Sequence, residues 1–174
     1  MKKSLQEKYA PACRCFGCGA ANPKGLRIKS YVRGGDLVAK FVPKKQHEAY
    51  AGMLSGGIIA ALLDCHSNWA AAYCLMKRDG RRSPPTTVTA ELHVEYRRPT
   101  PTGEPLELRA RATESEGRRV YVKGELRAGS AGVTVTSWGV FEAVKERHAA
   151  FGALTGRPLA KGRSRKAARR AMRS

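Results

Sequence analysis

The chain has 174 residues, 42% of them hydrophobic and 27 of them glycine or proline (18 and 9), which is the composition of one globular domain and excludes a fibrous or low-complexity chain. A net charge of +19, from 33 Lys and Arg against 14 Asp and Glu, favours anionic partners such as nucleic acid, anionic lipid or phosphate-bearing small molecules, and says little about fold. The five cysteines, at 13, 15, 18, 65 and 74, are odd in number and two fall in a helical run, which argues against a disulfide framework and for a reduced, cytoplasmic protein.

Three regions are expected: an N-terminal Cys-containing segment (1–25) packed on the domain, a folded domain (26–146) and a basic tail (147–174). No apolar leader follows Met1-Lys2-Lys3. The N-terminal segment holds C-R-C-F-G-C-G and closes on N-P-K-G. Leu26 to Val32 alternates apolar with polar, as a half-buried strand does. Gly34-Gly35-Asp36 is a turn signal and Leu37 to Val42 alternates again, so the two runs read as a hairpin. A loop from Pro43 to Leu54 follows.

Gly56 to Met76 is expected to be a helix that Ser55 can cap. Its apolar residues, from Ile58 to Leu75, go all round rather than along one stripe, and a helix apolar on every side is buried on every side. Asp64, His66, Ser67 and Asn68 interrupt the run, which excludes a membrane span. Lys77 and Arg78 suit the negative end of the helix dipole. Four strand-like runs follow, Thr86–Tyr96, Pro105–Thr113, Arg119–Arg127 and Gly132–Val144, with separators short enough for a meander of antiparallel neighbours. One long helix with about six antiparallel strands is an α+β arrangement, a curved sheet around a buried helix. From Arg157 onward the chain carries basic residues and no acid, as a disordered or loosely helical tail does.

Four stretches carry a resemblance: C-F-G-C-G-A-A-N-P-K-G-L (15–26), G-M-L-S-G-G-I-I-A-A-L-L-D (52–64), T-V-T-A-E-L-H-V-E-Y-R-R-P-T-P (87–101) and G-E-P-L-E-L-R-A (103–110). In order and spacing they resemble the hotdog-fold acyl-CoA thioesterases, in particular the phenylacetate-pathway (PaaI-like) group, over roughly residues 15 to 145. The resemblance implies a helix inside a sheet, a homodimer or dimer of dimers with acyl-CoA sites at the dimer interface, and no cofactor.

It also implies roles. Gly56 and Gly57 stand at a helix N-terminus, whose free N–H groups suit a developing oxyanion, and glycine lets a thioester approach the backbone; the bland alternative is an easy entry into the helix. Asp64 matches the catalytic carboxylate, which in relatives acts as nucleophile or base opposite the partner's glycine. It lies about two turns and roughly 10 Å beyond Gly57 on nearly the same face; the alternative is a structural hydrogen-bond network. Thr89 matches a hydroxyl that orients water in some relatives, although threonine is commonplace in strands. His47 and Glu48 lie where the family presents a polar side chain to the thioester oxygen, and Arg97 and Arg98 are placed for coenzyme A phosphates. His66 does not share the face of Asp64 and reads as a hydrogen-bonded core histidine. One departure stands out: Ser55 replaces the histidine that usually precedes the glycine pair.

Cys13, Cys15 and Cys18 form C-x-C-x-x-C. Structural zinc takes four ligands, and the fourth would have to be a distant Cys or His, so packing is the favoured reading and no metal is expected. The rival to an acyl-CoA thioesterase is a non-catalytic hotdog module that binds acyl-CoA or another anion, with the tail on nucleic acid. A tail with no aromatic residue after Phe151 lacks the stacking groups of a single-strand binder, so nucleic acid is not expected as the main ligand. A hydratase is a weaker third reading, since its Asp-and-His pattern is not evident.

Overall fold

The structure, a computed structural model, describes residues 3–145; the expected basic tail lies outside the described residues. Ser4 opens a short helix, α1 (Leu5–Tyr9), with a capping box in which the Glu7 amide donates to the Ser4 hydroxyl and the Ser4 amide to the Glu7 carboxylate. The alternating run from Leu26 to Val32 forms a strand only at its end, in β1 (Tyr31–Arg33). The reason is that its backbone is already engaged. The Leu26 and Ile28 amides donate to the carbonyls of Phe16 and Gly17 at 2.7 and 3.0 Å, and the Leu5 amide donates to that of Ser30 at 2.9 Å. The N-terminal segment thereby uses groups that a ladder would need.

β1 turns through Gly34 and Gly35 (φ 57° and 87°) into β2 (Asp36–Phe41), with Arg33 opposite Asp36. Two consecutive positive φ values are what a tight two-residue hairpin demands. The segment expected as a plain loop contains a 3₁₀ turn (Lys45–His47) and a small hairpin of β3 (Glu48–Tyr50) and β4 (Met53–Leu54). Helix α2 spans Gly56–Arg78, and Lys77 and Arg78 fill its last turn.

The last four strands are β5 (Thr87–Tyr96), β6 (Leu106–Glu116), β7 (Arg119–Ala128) and β8 (Gly132–Ala143). They do not form one meander. The six-stranded antiparallel sheet has the order β1-β2-β6-β7-β8-β5, so β5 lies at the far edge from β1 and β6 joins β2. The connection from 97 to 105 carries Pro99, Pro101 and Pro105, which cannot donate to a ladder. It is tied across the sheet end instead, by the Arg97 and Arg98 amides to the Thr134 carbonyl at 2.9 and 3.1 Å.

Helix α2 packs on β2 and on β5 through β8. Leu62, Leu63, Val120, Leu126 and Phe141 are fully buried between the layers, each worth about 1.5–3 kcal/mol relative to exposure. Gly124 on β7 sets the approach, because a Cβ there would crowd the hydroxyls of Ser67 and Ser137. The opposite side of α2 is covered by residues 13–19: a Cβ on Gly17 would collide with Cys65, and Trp69 Nε1 donates to Cys18 Sγ at 3.3 Å. Apolar residues all round the helix are thus accounted for by a sheet on one side and the N-terminal segment on the other. Among the described residues no helix is long and apolar enough to cross a membrane.

Candidate active site on helix α2 and strand β5

β5 runs antiparallel along α2, and three hydrogen bonds record the alignment. Thr87 Oγ1 donates to Asn68 Oδ1 at 2.6 Å, Thr89 Oγ1 to Asp64 Oδ1 at 2.6 Å, and the Tyr96 hydroxyl to the Gly56 carbonyl at 2.8 Å. The edge strand therefore lays one hydroxyl against the mid-helix carboxylate and another against the helix N-terminus.

Asp64 is half-buried and Thr89 exposed on the single chain. Burial pushes the Asp64 carboxyl above its ordinary value, the Thr89 hydroxyl pulls it partly back, and the Cys15 sulfur pushes it up again. A carboxylate made more basic in this way is a better proton acceptor and nucleophile.

At the helix N-terminus Ser55 occupies the cap position with extended backbone, but its side chain makes no capping hydrogen bond, contrary to the expected cap. Its carbonyl accepts from the Ile59 amide at 3.0 Å and its amide donates to the His47 carbonyl at 2.9 Å. The first-turn amides are thus left without a side-chain cap. Gly57 is exposed, and among the described residues a Cβ built on it would meet Ser55 Oγ at 3.8 Å. Packing among the described residues does not require glycine there.

The other expected site residues are already engaged. His47 stacks on Phe41 with ring centroids 5.4 Å apart, and its Nδ1 accepts from the Lys44 amide at 3.1 Å; burial, then the Lys44 charge, pushes its pKa down. Glu48 accepts from Thr102 Oγ1 at 2.7 Å. Arg97 pairs with Glu95 at 2.8 Å and Arg98 donates to the Ala131 carbonyl at 3.1 Å, so both are braced at the end of β5 that lies by Gly56. His66 is fully buried, with Nδ1 2.9 Å from Ser30 Oγ and Nε2 3.1 Å from the Leu37 carbonyl. Burial holds its pKa at about 4. Donation to the carbonyl makes Nε2 the protonated nitrogen, so His66 is a neutral core residue away from Asp64.

A large groove lies between the 23–34 segment, β2 and the 3₁₀ turn, lined among others by Lys24, Arg27, Lys29, Lys40 and Lys44 and by Ile58 and His47. Neither Asp64 nor Thr89 lines it. It reaches the first turn of α2 through Ile58 and offers cations at that end.

Sequence reading missed two features. Tyr96 gave no signal beyond being aromatic in a strand. Two of the close cysteines are joined by a distant one: Cys15, Cys18 and Cys65, the neighbour of Asp64 in sequence, hold their sulfurs within 4.8 Å of one another. Hydrogen bonds from the Cys18 and then the Cys65 thiol hold Cys15 well below its ordinary range, while contacts with Cys13 and Cys15 push Cys18 far up.

Comparison with known proteins agrees with this architecture. The family model described as Thioesterase superfamily matches residues 51–135. A thioesterase superfamily protein of Shewanella loihica is 33% identical, with a TM-score of 0.58, over 72% of this chain and 98% of its own. The fold is shared with a thioesterase of Haemophilus influenzae (16% identity, TM-score 0.64, 83% of this chain and 93% of that one). It is shared too with the PaaI protein from the phenylacetic acid degradation operon of Escherichia coli (16%, 0.60, 72% and 85%). Among curated proteins no relative matches.

Proposed function

Because the chain belongs to the thioesterase superfamily and has its hotdog fold, we propose that it hydrolyses an acyl-CoA thioester to a free acid and coenzyme A. The observation that carries this reading is the Thr89–Asp64 hydrogen bond of 2.6 Å on an open face of the molecule. A carboxylate raised by burial and steered by a hydroxyl is equipped to take a proton from water or to attack a carbonyl carbon.

In this proposal the thioester oxygen accepts from the Gly57 amide, where the helix dipole and free N–H groups stabilise the developing oxyanion. Asp64 of a facing subunit removes a proton from water, which adds to the carbonyl carbon; Thr89 fixes the carboxylate's orientation. Collapse of the tetrahedral intermediate breaks the C–S bond, and the departing thiolate takes up the proton. If Asp64 itself attacks, the C–S bond breaks as a mixed anhydride with the carboxylate forms, and water then cleaves the anhydride, releasing the acid, restoring Asp64 and supplying the proton that the thiolate takes up. A second copy is called for because Thr89 and Gly57 are exposed on the single chain and β5 is a sheet edge, whose unpaired backbone groups can join an identical strand. The assembly is then a homodimer or a dimer of dimers. Arg97, Arg98 and the cations of the groove beside Ile58 supply counter-charge for the coenzyme A phosphates.

The test is release of coenzyme A, followed by chromatography, from a panel of alkyl and aryl acyl-CoAs by wild type and Asp64→Asn. Turnover by wild type that the variant loses supports the proposal. An inert wild type that still binds acyl-CoA would identify a binding module instead, and full activity in Asp64→Asn would remove Asp64 from the mechanism.

A further inference from the structure

The N-terminal cysteines lack a fourth metal ligand in their own segment, and the fold brings a distant cysteine to them. Cys65, 47 positions beyond Cys18 in sequence, projects from α2 into the loop that carries Cys15 and Cys18, and the three sulfurs lie within 4.8 Å of one another. Cys15 Sγ and Cys65 Sγ are 3.6 Å apart and all five cysteines are free thiols. Four sulfurs placed tetrahedrally about 2.3 Å from a zinc ion are separated by about 3.8 Å. The Cys15–Cys65 spacing is near that value and far from a disulfide bond.

The fourth ligand required is Cys13, whose Sγ accepts from the Cys15 amide at 3.5 Å; it lies outside the group of three sulfurs within 4.8 Å of one another and has to move in as the ion binds. Other N–H groups point at the same sulfurs. Trp69 Nε1 donates to Cys18 Sγ at 3.3 Å, and the amides of Cys18 and Gly17 face Cys15 Sγ. Donors converging on sulfur have little to gain from neutral thiols, which are weak acceptors. They stabilise thiolates, the form that binds a metal.

Glycines fix the loop in place. A Cβ on Gly17 would strike Cys65 Sγ and crowd the Ala61 carbonyl, and one on Gly19 would strike the Cys15 backbone. The loop can therefore fold back on itself and seat its sulfurs against the helix only with glycine at both positions. Cys15 is exposed whereas Cys13, Cys18 and Cys65 are buried, which gives an ion a way in and a dry site once bound.

We propose that Cys13, Cys15, Cys18 and Cys65 form a structural tetrathiolate site for zinc that clamps the N-terminal segment onto helix α2 beside Asp64. All-thiolate tetrahedral sites select zinc or iron, and closed four-ligand sites are structural rather than catalytic. Binding displaces the thiol protons to solvent and changes no oxidation state.

The full chain, purified under reducing conditions without added metal, is measured by elemental analysis and native mass spectrometry. About one zinc per chain is expected, falling to a small fraction in Cys18→Ser and Cys65→Ser and unchanged in Cys74→Ser. Since a serine variant can misfold, wild type is also stripped with a chelator and titrated with cobalt(II). Sulfur-to-cobalt charge transfer and the intense visible bands of tetrahedral cobalt are expected, with a melting temperature that rises by more than about 5 °C on zinc return. Substoichiometric metal together with no tetrahedral cobalt spectrum would overturn the proposal. So would a Cys15–Cys65 disulfide in the freshly isolated protein that leaves no thiols to ligate.

Discussion

Thr89 on the edge strand donates a 2.6 Å hydrogen bond to Oδ1 of Asp64 on the central helix, 25 positions earlier in the chain. The bond ties an edge strand of the sheet to the one carboxylate of helix α2. If the pair acts on a thioester, Asp64→Asn lowers kcat by about 10²–10⁴-fold. Thr89→Ala costs about ten-fold, the worth of one orienting hydrogen bond, and Thr89→Ser restores most of it. Steady-state release of coenzyme A reads all three; equal rates in Thr89→Ala and wild type would leave Thr89 a mere strand residue.

Gly57 separates access from packing. A Cβ there would meet Ser55 Oγ at an ordinary contact distance of 3.8 Å, so Gly57→Ala keeps the fold and gains up to about 1 kcal/mol from helix propensity. Turnover nevertheless falls by about ten-fold or more if the thioester must meet that amide. Thermal melts and kinetics on one preparation decide; activity at the wild-type level would relocate the oxyanion site.

Ser55 makes no capping bond, so Ser55→Ala changes stability by less than about 0.5 kcal/mol, where loss of a bonded cap costs about 1 kcal/mol. Urea unfolding checks it, and a loss of a full cap's worth would mean that the hydroxyl does bond a first-turn amide in solution.

Tyr96 is a residue that sequence reading passed over. Its hydroxyl braces the Gly56 carbonyl at 2.8 Å, and the ring is 52% exposed. Tyr96→Phe therefore costs stability only near the lower end of about 0.5–1.5 kcal/mol. A larger proportional loss in kcat than in stability is expected if this contact sets the entry of α2, and an unchanged kcat would limit Tyr96 to packing.

Asp36 contributes to acid stability. Its carboxylate is 2% exposed and bonds Arg109 at 2.6 Å and Arg111 at 2.6 and 2.9 Å. The hydrogen bond from Arg111 leads the causes that hold its pKa below the ordinary 3.8, with Arg109 adding to it against the opposing effect of burial. A depressed folded pKa contributes stability that is complete above 3.8 and is lost as pH falls from there through the folded value. Asp36→Asn should weaken the fold at neutral pH and flatten the stability profile below pH 3.8. A variant as acid-sensitive as wild type would assign that sensitivity to other carboxylates.

The sequence by itself determined the long helix and the main strands, but not α1 or the small β3–β4 hairpin. Alternation and turn glycines gave β2 and β5 through β8 to within a few residues, and the all-round apolar run gave α2, because period and turn chemistry are local properties. It also marked Asp64, since a carboxylate amid Ile58, Ile59, Leu62 and Leu63 is legible as a cost. Where local pattern and long-range bonding compete it failed: residues 26–30 alternate like a strand, yet their backbone is taken by Phe16, Gly17 and Leu5. Only the tertiary structure decided that β5 crosses to the far edge and runs along α2, since strand order depends on which edges remain unpaired. That placement brings Thr89 to Asp64 and Tyr96 to Gly56. The same holds for Cys65, which joins Cys15 and Cys18 because loop and helix meet face to face, a proximity no sequence spacing encodes.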